Sequence, residues 1–129
     1  MGQARKSDRF RQAAEAKDFE SGQDLFTEDV VFRSPFVHTP YEGRDALMFL
    51  LSNVAQVFED FRYIHQVETG DTAVLMFEAR VGERELQGVD ILEYGADGRI
   101  EALTVIVRPM SGLQALGEAM GRRLEQAGQ

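Results

Sequence analysis

The sequence predicts an α+β fold with an antiparallel sheet, and three observations carry that prediction. Apolar residues recur at helical spacing before Phe58 and again after Pro109, whereas from Phe61 to Arg108 the period is two. The breaks between the period-two runs, Gly70-Asp71, Gly82-Glu83 and Gly95-Ala96-Asp97-Gly98, are short and glycine-bearing, as antiparallel hairpins require. The predicted order is helix, helix, strand, helix, four strands, helix, so the two kinds of element are segregated along the chain.

The first helix runs from a capping Ser7 to Asp18, with Phe10, Ala13 and Ala14 on a narrow apolar side. A second short helix starts near Ser21 and carries Leu25 and Phe26 inward. Val30-Val31-Phe32 is a short strand that Pro35 stops, and the segment from Phe36 to Gly43 reads as a surface loop. Arg44-Asp45 opens the third helix, where Asp45 favours the positive end of the dipole and Leu47, Leu50, Leu51, Val54, Val57 and Phe58 form an apolar stripe. Strands follow from Phe61 to Glu68, from Thr72 to Val81, and on both sides of the Gly95 to Gly98 loop. Ser111 with Gln114 is a capping-box pattern for a last helix bearing Leu113, Leu116, Met120 and Leu124, with Gln126 to Gln129 expected to fray.

Residues 1–129 fit one domain, long enough for a single core without staples. With 14 Lys and Arg against 22 Asp and Glu, the net charge of −8 repels nucleic acid and anionic lipid surfaces alike. The absence of cysteine excludes disulfides, thiol nucleophiles and thiolate metal sites. His38 and His65 make no metal-binding spacing, and no phosphate-cradling glycine loop occurs, so neither metal nor cofactor is expected. No apolar run approaches the ~18 residues that suggest a membrane span, and the basic amino terminus lacks an apolar segment behind it, which makes the cytoplasm the default address.

One residue stands out chemically. Asp90 lies between Val89 and Ile91 in a strand, where a carboxylate is normally excluded unless its desolvation is compensated. Pairing Tyr94 with Arg99 places Asp90 opposite Leu103 and puts Leu86, Gly88, Asp90 and Leu92 on one face with Leu103, Val105 and Val107. Burial there raises the pKa of Asp90, and such groups cluster in functional sites; the plainer account has it bonded to backbone groups or a buried arginine. His38 and Tyr41 sit in a loop that could border a pocket. His65 is either a pocket base or a half-buried strand histidine satisfied by a neighbour. Glu78 is read as pairing with Arg80 rather than as a second acid. The other hairpin face, with Ile100, Ala102, Thr104 and Ile106 and Arg108 at its end, is too apolar for solvent and predicts a homodimer.

The stretches AKDFESGQDLFTEDVVFRSP, YEGRDAL and VDILEYGADGRI resemble the NTF2-like superfamily, and within it the SnoaL-like group that includes polyketide cyclases. The resemblance spans nearly the whole chain. It implies a cone in which a curved antiparallel sheet wraps three helices around a pocket, here with an additional C-terminal helix. It also implies a small, apolar ligand. In steroid isomerases of this superfamily the site combines a tyrosine on the first helix, an acid on the hairpin and a carboxylate base after the first strand. The matching positions here are Phe10, Asp90 and Ser34, so only the hairpin acid is present. In epoxide-hydrolase-type relatives a last-strand aspartate falls at Val105. Neither mechanism is complete, and the resemblance leaves an isomerase/cyclase-type enzyme, best matched by a cyclase-like site, with Asp90 as its one acid/base group and Phe10, Ser34, Tyr41, His38, Leu103 and Val105 as candidate ligand contacts. A non-catalytic ligand-binding or dimerisation module is the alternative, and a nuclear-transport role a third.

Overall fold

The computed structural model describes residues 5–127. Its elements are α1 (Ser7–Glu15), a 3-10 turn (Gln23–Leu25), β1 (Phe26–Arg33), β2 (Tyr41–Glu42), α2 (Arg44–Val57), β3 (Glu59–Thr69), β4 (Thr72–Val81), β5 (Arg84–Tyr94), β6 (Ile100–Arg108) and α3 (Met110–Ala127). The six strands form one curved sheet in the order β2-β1-β6-β5-β4-β3. Its inner face packs on the helices: α1 lies on β3, α2 on β1 and α3, and α3 on β4, β5 and β6. The α+β class stands, but the sheet is mixed, because β1 pairs with β6 in parallel. β1 and β6 lie far apart in sequence, so no turn signal announces that pairing.

Several boundaries differ from the sequence expectation for local reasons. The second helix shrinks to a three-residue 3-10 turn because Phe26 already begins β1. α1 ends at Glu15, and Lys17 turns the chain with φ +56°. Ser7 is inside α1 instead of capping it; its hydroxyl donates to Glu68 Oε1 at 2.7 Å. Likewise α3 starts at Met110, ahead of the expected Ser111 cap, and stays helical through Ala127; the rest of the expected frayed end lies outside the described residues. The Phe36 to Gly43 loop contains a two-residue strand, where Tyr41 and Glu42 pair with Phe32 and Val31.

The β5–β6 hairpin keeps its predicted faces with a shifted register. Asp90 lies opposite Val105, Leu92 opposite Leu103 and Tyr94 opposite Ile100, with a bulge between Glu93 and Tyr94. A shift of two preserves side-chain parity, so Leu86, Gly88, Asp90 and Leu92 still face inward. The bulge turns Ile100 into the core, at 1% exposure, and removes it from the outer face where the sequence reading had put it.

β3 is irregular in the same way. Tyr63 pairs with Phe77 but His65 with Met76, so Ile64 is the extra residue. Before it Phe61 and Tyr63 face inward; after it Gln66 and Glu68 do. His65 is therefore exposed on the outer face and is neither a pocket base nor half-buried, because the bulge breaks the alternation that had aligned it with Tyr63. Glu78 and Arg80 do not pair with each other. Arg62 Nη2 donates to Glu78 at 2.7 Å, and Arg80 bridges Glu59 and Asp60, since cross-strand neighbours are closer than positions two apart on one strand.

Candidate functional site

The sheet's inner face and the helices enclose a cavity of about 140 Å³. Aromatic packing builds its floor. Phe58, Phe61, Tyr63 and Phe77 form a cluster with ring centroids 5.0 to 6.2 Å apart. Gly88 makes that cluster fit, since a Cβ there would meet Phe77 Cζ at 2.2 Å. A side chain at this one position in β5 would displace the ring that sits opposite it across the ladder.

Asp90 projects from β5 into this apolar chamber and is 7% exposed. Tyr63, two strands away, donates its hydroxyl to Asp90 Oδ2 at 2.7 Å, and among the described residues it is the carboxylate's only side-chain partner. Neither the backbone groups nor the buried arginine of the plainer account is present there. Burial pushes the Asp90 pKa from 3.8 up to about 7, with the Tyr63 hydrogen bond partly opposing it. Tyr63 itself is driven well above its ordinary value, first by burial and then by the adjacent Asp90 charge, so its proton stays in place. The pair thus offers one exchangeable proton near neutrality, and Oδ1 is left for another hydrogen bond.

The other sequence candidates fall in two groups. Phe10 on α1, Ser34 after β1, Tyr41 on β2 and Val105 on β6 line the same cavity as Asp90. Phe10 is packed against Phe19 and Phe26, and Ser34 Oγ accepts the N–H groups of Phe36 and Val37, both at 3.3 Å. Leu103 does not line the cavity; it is fully buried in the core beside Leu92. His38 does not line it either and is exposed in the loop between β1 and β2. Sequence reasoning gave no role to Tyr63, although its alternation with Phe61 marked it as inward-facing. It also passed over Lys17, which borders the cavity with Nζ donating to Phe58 O at 2.9 Å, and the α3 wall formed by Leu116 and Met120. Among the described residues no three His, Cys, Asp or Glu side chains are grouped to hold a metal ion, and no helix is long and apolar enough to cross a membrane.

A family model for the SnoaL-like domain matches residues 8–103. The chain belongs to the SnoaL-like domain family. This SnoaL-like chain is similar to the crystal structure of a steroid delta-isomerase from Pseudomonas aeruginosa, with 46% identity and a TM-score of 0.91 over 95% of this chain and 90% of that one. It is also similar to an uncharacterized protein with a cystatin-like fold from Silicibacter pomeroyi, at 31% identity and a TM-score of 0.90, covering 97% and 89% of the two chains. An NTF2-like protein of unknown function from Mesorhizobium loti, at 21% identity and a TM-score of 0.72 over 81% and 88%, shares the fold. No curated protein matches the SnoaL-like chain.

Proposed function

We propose that this SnoaL-like domain binds an uncharged, largely apolar small molecule bearing a carbonyl, and acts on it as an isomerase or cyclase with Asp90 as its acid/base group. The observation that carries the reading is the buried Asp90, hydrogen-bonded by Tyr63 inside an apolar cavity and poised near pH 7. In ionised form Asp90 takes a proton from a carbon next to the carbonyl, and the protonated acid then returns it at another atom of the same molecule. The Ser34 hydroxyl accepts two backbone N–H groups, so its own proton is available to the developing enolate. The similarity at 46% identity to a steroid delta-isomerase supports the same class of chemistry.

A thermal-shift screen of steroid-like, terpenoid and polyketide-like ketones, followed by turnover assays on each hit, tests this. The expected outcome for Asp90→Asn is retained ligand binding with turnover reduced on the order of 10² to 10⁴. Undiminished turnover would refute the assignment. A second reading, a non-catalytic binding module, is favoured by Phe10 and Ser34 standing where the resemblance to steroid isomerases implies a tyrosine and a carboxylate. It predicts ligand-dependent stabilisation with no turnover in either protein.

The reading includes a homodimer formed through the outer face of the sheet. Val67 and Ile106 are exposed there, with Val74, Met76, Val89 and Ile91 half-buried between them.

A further inference from the structure

The cavity beside Asp90 is too small for most of the ligands that its chemistry suits. At about 140 Å³ it approximates the ~150 Å³ apolar cavity that takes a benzene ring, so one ring fills it. A second, open groove of about 470 Å³ runs along the first turns of α3, between Met110, Leu113 and Gly117 on the helix and the loop that follows β1. Pro35 and Phe36 line both spaces, so this dipeptide is the wall that separates them.

That wall is lightly held. Phe36 is 44% exposed, and its ring rests on Gly117, where a Cβ would come within 3.2 Å of Phe36 Cε1. Among the described residues, the segment 35–40 makes two hydrogen bonds, both to the neighbouring Ser34 hydroxyl oxygen. An aromatic side chain this exposed, seated on a bare helix backbone and carried by a loop without tertiary hydrogen bonds, can change rotamer at little cost.

We propose that Phe36 is a movable partition, and that cavity and groove together hold one elongated ligand: a carbonyl-bearing ring against Asp90 and an uncharged apolar tail along α3. The proposal rests on the ketone-binding reading above and adds the shape of the substrate to it. The tail is uncharged because the groove floor is Met110, Leu113 and Gly117, while Glu118 on its border and a net charge of −8 oppose an anionic group. Groove area in contact with the tail contributes affinity in proportion to the apolar surface it covers.

Acetophenone, 4-butylacetophenone and 4-hexylacetophenone are suitable ligands, with dissociation constants from NMR titration and association rates from line shapes. The wild-type protein should gain about twofold in affinity per added methylene, as expected for methylenes half-buried in an open groove. Leu113→Glu, which places a charge on the groove floor, should flatten that dependence on chain length. Phe36→Ala should speed association of the hexyl compound several-fold. Affinity independent of chain length in the wild type, an equal gain in Leu113→Glu, or an unchanged rate in Phe36→Ala would each overturn the proposal. Binding of acetophenone with no dependence on chain length in its alkyl derivatives would leave the ketone site standing and remove only the tail. Failure of all three ketones to bind would remove both.

Discussion

Asp90 and Tyr63 act as one unit whose behaviour follows from burial. With a folded pKa of about 7 against 3.8 for the exposed side chain, Asp90 keeps its proton in the folded protein over a range where the unfolded chain has lost it. Its contribution to stability is therefore complete below pH 4 and disappears as pH rises to 7, about 4 kcal/mol in all at 1.36 kcal/mol per unit. Asp90→Asn, which mimics the neutral acid, should match the wild type at pH 4 and exceed it in stability at pH 8; chemical denaturation of both proteins across that range measures the difference. Tyr63→Phe removes a donor to the charged form, worth about 1.5 to 3 kcal/mol, and should raise the Asp90 titration midpoint by about 1 to 2 units in a carboxyl-carbon NMR titration. Asp90 was legible in the sequence because an acid in a Val-Asp-Ile run contradicts its surroundings. Tyr63 was not, because its bond to Asp90 spans β4, and the bare Gly88 backbone leaves the room that the neighbouring Phe77 ring needs.

Among the elements, α1 owes its place to a clasp from β3. The Glu68 carboxylate accepts the N–H of Ser7 at 3.0 Å, the Ser7 hydroxyl at 2.7 Å and the N–H of Lys6 at 3.3 Å, and Gln66 Nε2 donates to Ser7 and Asp8. Burial pushes the Glu68 pKa up, but these donors outweigh it and hold it below 4.5. The stability it supplies is present above pH 4.5 and is lost as pH falls through the lowered value. Glu68→Gln should cost about 1 kcal/mol at pH 7, as for a lost N-cap, and should raise amide exchange in α1 ahead of the sheet. Element types were readable from periodicity, yet the bulge at Ile64 was not. A single inserted residue leaves the apolar alternation of β3 looking continuous while exchanging its faces. The helix expected near Ser21 failed for a related reason: Leu25 and Phe26 suit either a helix or a strand, and pairing with β6 decided for the strand.

At the scale of the molecule, helices cover the inner face of the sheet while the outer face carries a band of Val, Ile and Met side chains. In the proposed homodimer a second copy of the chain covers that band, which accounts for its composition. Light scattering at micromolar concentration should give twice the chain mass, and Ile106→Lys should reduce it to one; a monomeric wild type would remove the dimer. The fold class was legible because helical and period-two segments are separated in the sequence. The parallel meeting of β1 with β6 was not, since nothing local encodes which distant strand a short apolar run will join. That meeting also fixes when the site can exist. Ser34 and Phe36 follow β1, Asp90 and Val105 lie on β5 and β6, and Leu116 and Met120 lie on α3, so the chamber is assembled from both ends of the chain. No half of the protein contains it, its contacts are among the most distant in sequence, and the ability to take up ligand should appear only in the last step of folding.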